Sequence, residues 1–182
     1  MILPIYLYGH PILRKGTKDI SPDYPHLKEL LANMFETMYK AEGVGFAAPQ
    51  VGLSDRIVVV DLSSLAKDYP ECEGFKRVFI NARILEKSDE ATVLEEGCLS
   101  VPDIHEKISR SNWVRLHYLD EHLQPHEDVF EGYPARCIQH EYDHLEGIVF
   151  TDHASGLRKQ MISSKLNRIR DGRVNCSYKV KK

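Results

Sequence analysis

Residues 139–147 read Gln139-His140-Glu141-Tyr142-Asp143-His144-Leu145-Glu146-Gly147. Pro134 suits a first helical turn and Gly147 a C-terminal stop, so a helix is predicted over residues 134–146. Residues four apart in a helix stand one turn above each other. His140 and His144 can therefore present both imidazoles to one metal ion. Glu141, beside the first of them, can take a proton from a water on that metal. Neutral imidazoles suit zinc or ferrous iron. The plainer alternative is an amphipathic helix with two surface histidines.

A catalytic site of this kind needs three protein ligands and an open position. One metalloprotease pattern puts a third His six residues after the second, where this chain has Phe150. Another takes a downstream Glu, but no Glu follows Glu146. Asp152 and His153 follow the Gly break too soon without folding straight back. Upstream stands Glu95-Glu96-Gly97-Cys98-Leu99-Ser100. A Cys98 thiolate at the end of a strand, before a Val-Pro turn, completes a Cys-His-His set. The four cysteines, 72, 98, 137 and 176, contain no Cys-x-x-Cys pair and are expected to be reduced thiols.

A third segment, Gly43-Val44-Gly45-Phe46-Ala47-Ala48-Pro49-Gln50, matches the dinucleotide fingerprint G-x-G-x-x-A. That fingerprint must follow a strand and open a helix. Here a helical pattern precedes it, and Pro49 and a strand-like run follow. The glycines better serve close approach of backbone to a ligand, with Gln50 offering an amide donor.

Leu27, Leu30, Leu31, Met34, Phe35 and Met38 form one apolar face, which predicts an N-terminal helix stopped near Gly43. Short Val-, Ile- and aromatic-rich runs predict strands at 56–62, 77–85, 91–95, 106–110, 113–119 and 127–130. A last helix is expected over 155–170, with Leu157, Met161, Ile162, Leu166 and Ile169 on one side. Helices segregated from strands predict an α+β fold. Antiparallel sheets should pack around a central metal-binding helix, with an N-terminal and a C-terminal helix.

The chain has 182 residues, 42% hydrophobic and 28% charged, as expected of one globular domain spanning 1–182. No apolar run approaches the ~18 residues of a membrane span. The first six residues lack the charged and apolar regions of a signal peptide, so a cytoplasmic location is expected. The net charge of −3 hides an asymmetry. Residues 1–157 sum to −11 and residues 158–182 to +8. The total argues against a sequence-specific nucleic-acid binder. The basic C-terminal helix and tail alone reopen contact with a nucleic acid.

The three segments together resemble the peptide deformylase family. Its signatures G-x-G-x-A-A-P-Q, E-G-C-L-S and Q-H-E-x-D-H-L-x-G stand here at residues 43–50, 96–100 and 139–147, in the family's order. Gly9-His10-Pro11-Ile12-Leu13-Arg14 resembles the family's entry segment, and the C-terminal helix resembles the bacterial type. The resemblance implies a cytoplasmic hydrolase that removes the formyl group from the N-terminal formylmethionine of new polypeptides and releases formate. It implies one divalent metal, ferrous iron natively, with zinc, nickel or cobalt accepted. Cys98, His140 and His144 would hold the metal and water would fill the fourth place. Glu141 would act as base on that water and then as acid to the leaving amine. The Gln50 amide and the Leu99 backbone N–H would stabilise the oxyanion.

By the same resemblance the peptide lies extended beside Gly43, Val44 and Gly45. Val44, Leu99, Cys137 and His140 line the methionine pocket, with Glu96 and Gly97 close by. Two positions depart from the family pattern. Arg136 replaces an aliphatic rim residue and is expected to snorkel over the methionine site or fix a peptide carbonyl. His105 replaces an arginine. The resemblance also implies weak ribosome docking through Arg158, Lys165, Arg168 and Arg173. Two competing readings remain: a small metalloprotease using the same helix, and a structural metal-binding module.

Overall fold

The computed structural model describes residues 1–181; Lys182, the last of the basic tail, lies outside the described residues. In chain order the elements are β1 (Ile5–Tyr6), α1 (Leu27–Lys40), β2 (Gly45–Ala47), β3 (Ile57–Asp61), β4 (Lys76–Lys87), β5 (Ala91–Cys98), β6 (Val101–Ser111), β7 (Trp113–Leu119), β8 (Pro125–Glu131), α2 (Gly132–Leu145), α3 (Gly156–Arg170) and β9 (Val180–Lys181). The fold is α+β. Five strands form one antiparallel sheet in the order β2-β3-β4-β7-β8. β5 and β6 form a separate antiparallel hairpin. β1 and β9 pair in parallel.

The sheet is covered on both faces, and β3 shows why. Ile57, Val58, Val59 and Val60 are all buried. Alternate strand residues point to opposite faces. Ile57 and Val59 join Leu31, Met34 and Met38 of α1 in one core cluster. Val58 and Val60 join Ala135, Ile138 and Leu145 of α2 in another. A continuous apolar run is what a doubly covered strand requires. A third cluster, with Ile104, Ile108, Phe150, Ile162 and Ile169, lies beneath the hairpin and α3.

Helix α2 is therefore central, with the sheet on one side and the hairpin on the other. Its apolar residues face the sheet. Its polar residues Arg136, Gln139, His140, Glu141 and His144 are buried as well. It begins two residues before the predicted start, with Pro134 inside the first turn. It ends in a Schellman motif: Ile148 N–H donates to Asp143 O at 2.9 Å and Gly147 N–H to His144 O at 3.3 Å. Gly147 has φ 75°, and a Cβ there would lie 2.7 Å from Arg14 O.

Three expectations need correction. The expected strands omit Gly45–Ala47, which forms the edge of the sheet and is followed by a 3-10 turn at Ala48–Val51. The strands β5 and β6 run on to the turn at Leu99 and Ser100, which joins them. On α3 only Ile162 and Ile169 are buried, while Leu157 and Met161 are 69% and 61% exposed. That helix meets the body along a narrow line rather than a broad apolar face.

Candidate active site

The site forms where β2, the β5–β6 turn and α2 converge. Pairing of β5 with β6 shifts register between Glu96–Glu106 and Cys98–Val101. Asp103, inside the shifted stretch, has φ 61°. The irregularity carries Cys98 to the tip of the hairpin, over α2. Its Sγ lies 3.3 Å from His144 Nε2. One ligand atom each from Cys98, His140 and His144 can be chosen so that all lie within 4.8 Å of one another.

The donors suit a divalent ion. One thiol and two imidazoles match zinc or ferrous iron. Burial, with His140 second, holds His144 down at about 3, so its imidazole is neutral with a lone pair to give. The other ring is oriented by its neighbour: His140 Nδ1 and Glu96 Oε1 are 2.9 Å apart. That leaves Nε2 for the site, an arrangement common around metal-binding histidines.

Glu96 is the hub of a buried ion network. Arg110 donates to both of its oxygens at 3.0 Å, and Arg136 Nη1 donates to Oε2 at 2.5 Å. Arg110 also reaches Asp143 at 2.6 Å, and Asp143 meets His153 Nε2 at 2.7 Å. Burial alone would raise the Glu96 carboxyl. Bonds from His140 and Arg110 outweigh it and hold Glu96 at about 2.

Glu141 is unlike Glu96. Burial pushes it up to about 7 with only partial opposition from His140. Its Oε2 is buried without a hydrogen-bond partner among the described residues, as is His144 Nδ1. A carboxyl with one unpaired oxygen, titrating near neutrality, can both accept and return a proton. The approach of β2 to α2 is close enough to demand glycine. A Cβ at Gly45 would lie 2.6 Å from Glu141 Oε1 and 2.8 Å from Cys137 Sγ.

Gln50 is 1% exposed and its amide orientation is settled by its partners. Oε1 accepts from Ala47 N–H at 2.9 Å. Nε2 donates to Ser100 Oγ at 3.2 Å and points to Cys98 Sγ at 3.6 Å. The donor end thus faces the thiol-imidazole cluster.

These groups open onto a cleft of about 530 Å³. Gly43, Val44, Gly45, Gln50, Glu96, Gly97, Cys98, Leu99, Arg136, Cys137, His140 and Glu141 all line it. Of the residues expected from the sequence, only His144 is not in the wall; it lies beneath at 1% exposure. Arg136 is placed differently from expectation. It is 4% exposed and bonded to Glu96, Ile108 O and Thr92 O, so it does not snorkel outward. Its charge is consumed by Glu96. His105 lines the cleft rim, with its ring against Gly97.

Three contributions to the site are not marked as such by the sequence motifs. Ser100, the partner of Gln50, stood within the E-G-C-L-S segment. Arg110 and Asp143 support Glu96, and Asp143 stood within the helix motif. Asn175, Cys176, Ser177 and Tyr178 of the tail also line the cleft, with no sequence pattern to mark them.

A family model described as polypeptide deformylase matches residues 2–160. The peptide deformylase of Flavobacterium johnsoniae is 48% identical over 188 residues, covering 100% of this chain and 96% of the relative. That of Salinibacter ruber is 41% identical over 182 residues, covering 98% and 93%. The crystal structure of the Thermus thermophilus peptide deformylase matches with TM-score 0.84 at 34% identity, over 94% of this chain and 99% of that one. The Legionella pneumophila peptide deformylase structure matches with TM-score 0.82 at 35% identity, over 95% and 98%.

Proposed function

The chain belongs to the polypeptide deformylase family, and on that premise we propose that it acts as a single catalytic domain that hydrolyses the N-terminal formyl group of newly made polypeptides. The products are formate and a free amino terminus. The observation that carries the reading is Glu141: a buried carboxyl with one unpartnered oxygen, in the wall of a cleft beside Cys98 and His140.

Cys98, His140 and His144 would hold one divalent ion, ferrous iron natively, with zinc, nickel or cobalt accepted. When bound, that ion supplies Lewis acidity to the attacking water and to the formyl oxygen. Glu141 accepts a proton from the water and delivers it to the departing amine nitrogen. Its position near neutrality suits both transfers. The Gln50 Nε2 and the Leu99 backbone N–H donate to the oxygen that gains charge. Glu96 acts through His140, keeping that ring's tautomer fixed.

The peptide adds to the open edge of β2. Val44 O accepts from Asp61 N–H at 2.9 Å, toward β3. In an antiparallel pair successive residues alternate in direction. The Gly45 backbone groups are then turned to the other edge, where an extended peptide can bond them whatever its side chains. Val44, Leu99 and Cys137 give the methionine side chain an apolar wall.

The competing readings fit less well. A structural site is usually closed by four protein ligands; here three donors sit beside an open cleft. Phe150, at the position where one protease pattern needs a histidine, stacks on His140 with ring centroids 5.7 Å apart. Among the described residues no helix is long and apolar enough to cross a membrane. Action in the cytoplasm on nascent chains, with weak ribosome docking through the basic helix, belongs to the same proposal. Formate release from formyl-Met-Ala-Ser, run beside casein digestion, tests it. Formate without proteolysis is expected; proteolysis without formate would overturn it.

A further inference from the structure

The end of the chain lies beyond the stretch matched by the family model, residues 2–160, yet it reaches the site. After α3 the backbone runs back so that Asn175, Cys176, Ser177 and Tyr178 wall the cleft. The tail is fastened beyond this point by β9. Ile5 N–H donates to Lys179 O at 2.9 Å and Leu7 N–H to Lys181 O at 3.0 Å.

Two of these segments grip the β5–β6 turn. Tyr8 N–H, next along the chain from the β1–β9 pair, donates to Ser100 O at 2.7 Å. The Tyr178 hydroxyl donates to Leu99 O at 2.7 Å. Successive carbonyls of the turn are thus held by two residues that flank the paired strands β1 and β9. The same turn carries the Cys98 thiol and the Leu99 N–H. Burial pushes the Tyr178 phenol up, which keeps it protonated and a donor.

We propose that Tyr178 is a positioning residue for deformylation: its hydroxyl, through the Leu99 carbonyl, fixes the turn so that the Leu99 N–H points at the formyl oxygen. The proposal rests on the reading of Leu99 as an oxyanion donor. Tyr178 touches no reacting atom. Its effect belongs to the transition state, because a donor aimed at the developing charge counts only when that charge appears. The signature is therefore a loss in kcat with KM little changed.

The test compares three zinc-loaded full-length proteins: wild type, Tyr178→Phe, and a chain with 4-aminophenylalanine at 178, whose ring amine can donate in place of the hydroxyl. Each is assayed for formate release from formyl-Met-Ala-Ser, for melting temperature and for the Leu99 amide resonance by NMR. Tyr178→Phe is expected to lose about five- to tenfold in kcat, the weight of one net hydrogen bond, with KM within about twofold. The Leu99 resonance should shift, and the amine variant should restore both kcat and resonance. A kcat within twofold of wild type in Tyr178→Phe would overturn the proposal. So would a rise in KM alone, or a loss that the amine variant fails to restore, whatever happens to the melting temperature. A wild type that releases no formate would instead overturn the functional reading on which the proposal stands.

Discussion

Glu96 shows how much chemistry one side chain can organise. From the sequence it stands two residues before Cys98, a spacing that puts both on one face of a strand. What the sequence does not show is that two arginines and a histidine meet there, because Arg110, Arg136 and His140 come from a neighbouring strand and a helix. Removing the carboxylate leaves Arg110 with Asp143 only and Arg136 with two backbone carbonyls. Breaking such a buried pair costs about 3–5 kcal/mol. Loss of the bond to His140 is expected to weaken metal binding by about 10- to 100-fold. Urea unfolding and zinc titration of Glu96→Ala should show both losses together. Gln50 gives a different balance. Gln50→Ala is expected to lose about 100- to 1000-fold in kcat, the usual weight of one oxyanion donor. It also strips Ala47 N–H of its acceptor, at about 1–3 kcal/mol. The variant should remain folded at 25 °C by circular dichroism, with a lowered unfolding midpoint.

At the scale of elements, legibility followed the strength of local signals. Helix α2 was readable to within two residues because Pro134 and Gly147 are local determinants. β3 was readable because four consecutive buried residues are all β-branched. Helix α3 was readable in extent but not in orientation. Its apolar residues outnumber those it buries, so counting them could not say which would pack. Part of its attachment is ionic: Arg158 donates to both oxygens of Glu106, at 2.9 and 2.7 Å. Those bonds depress the Glu106 carboxyl, with burial opposing. A carboxyl lowered in the folded state contributes stability above its ordinary range, near ~4.3, and loses it as pH falls below that range. Hydrogen-exchange protection of α3, relative to β3, should therefore fall between pH 6 and pH 3.5. In Glu106→Gln the relative protection should already be low at pH 6 and change little with pH. Equal pH sensitivity in both proteins would show that this ion pair does not hold the helix.

Over the whole molecule, the three sequence segments converge on one cleft because α2 is held between the sheet, whose edge strand β2 carries Gly45, and the β5–β6 hairpin, which carries Cys98. The part that stayed hidden is the tail. β9 is two residues long, its partner β1 is two, and no periodicity links them across the full length of the chain. The tail also changes how ribosome docking should be tested. Arg158 is paired with Glu106 and Arg173 with Asp171, so half of the expected basic contacts have acidic partners. Lys165 and Arg168 are exposed. Deleting residues 158–182 would also strip buried Ile162 and Ile169 and the Tyr178 contact. The double variant Lys165→Glu/Arg168→Glu is the better probe. It should abolish co-sedimentation with ribosomes at low salt while formate release stays unchanged, and wild-type binding should weaken steeply as salt rises. Undiminished co-sedimentation of the variant would place the contact elsewhere.

On the proposed mechanism Glu141 moves the proton while Cys98, His140 and His144 hold the metal. The most direct measurement loads wild type and Glu141→Ala with one divalent ion, determines metal per chain in each, and follows formate release from formyl-Met-Ala-Ser. Equal metal content is expected, with a loss of at least about 100-fold in formate release for the variant. Wild-type turnover by a metal-loaded Glu141→Ala protein would rule out Glu141 as the group that moves the proton.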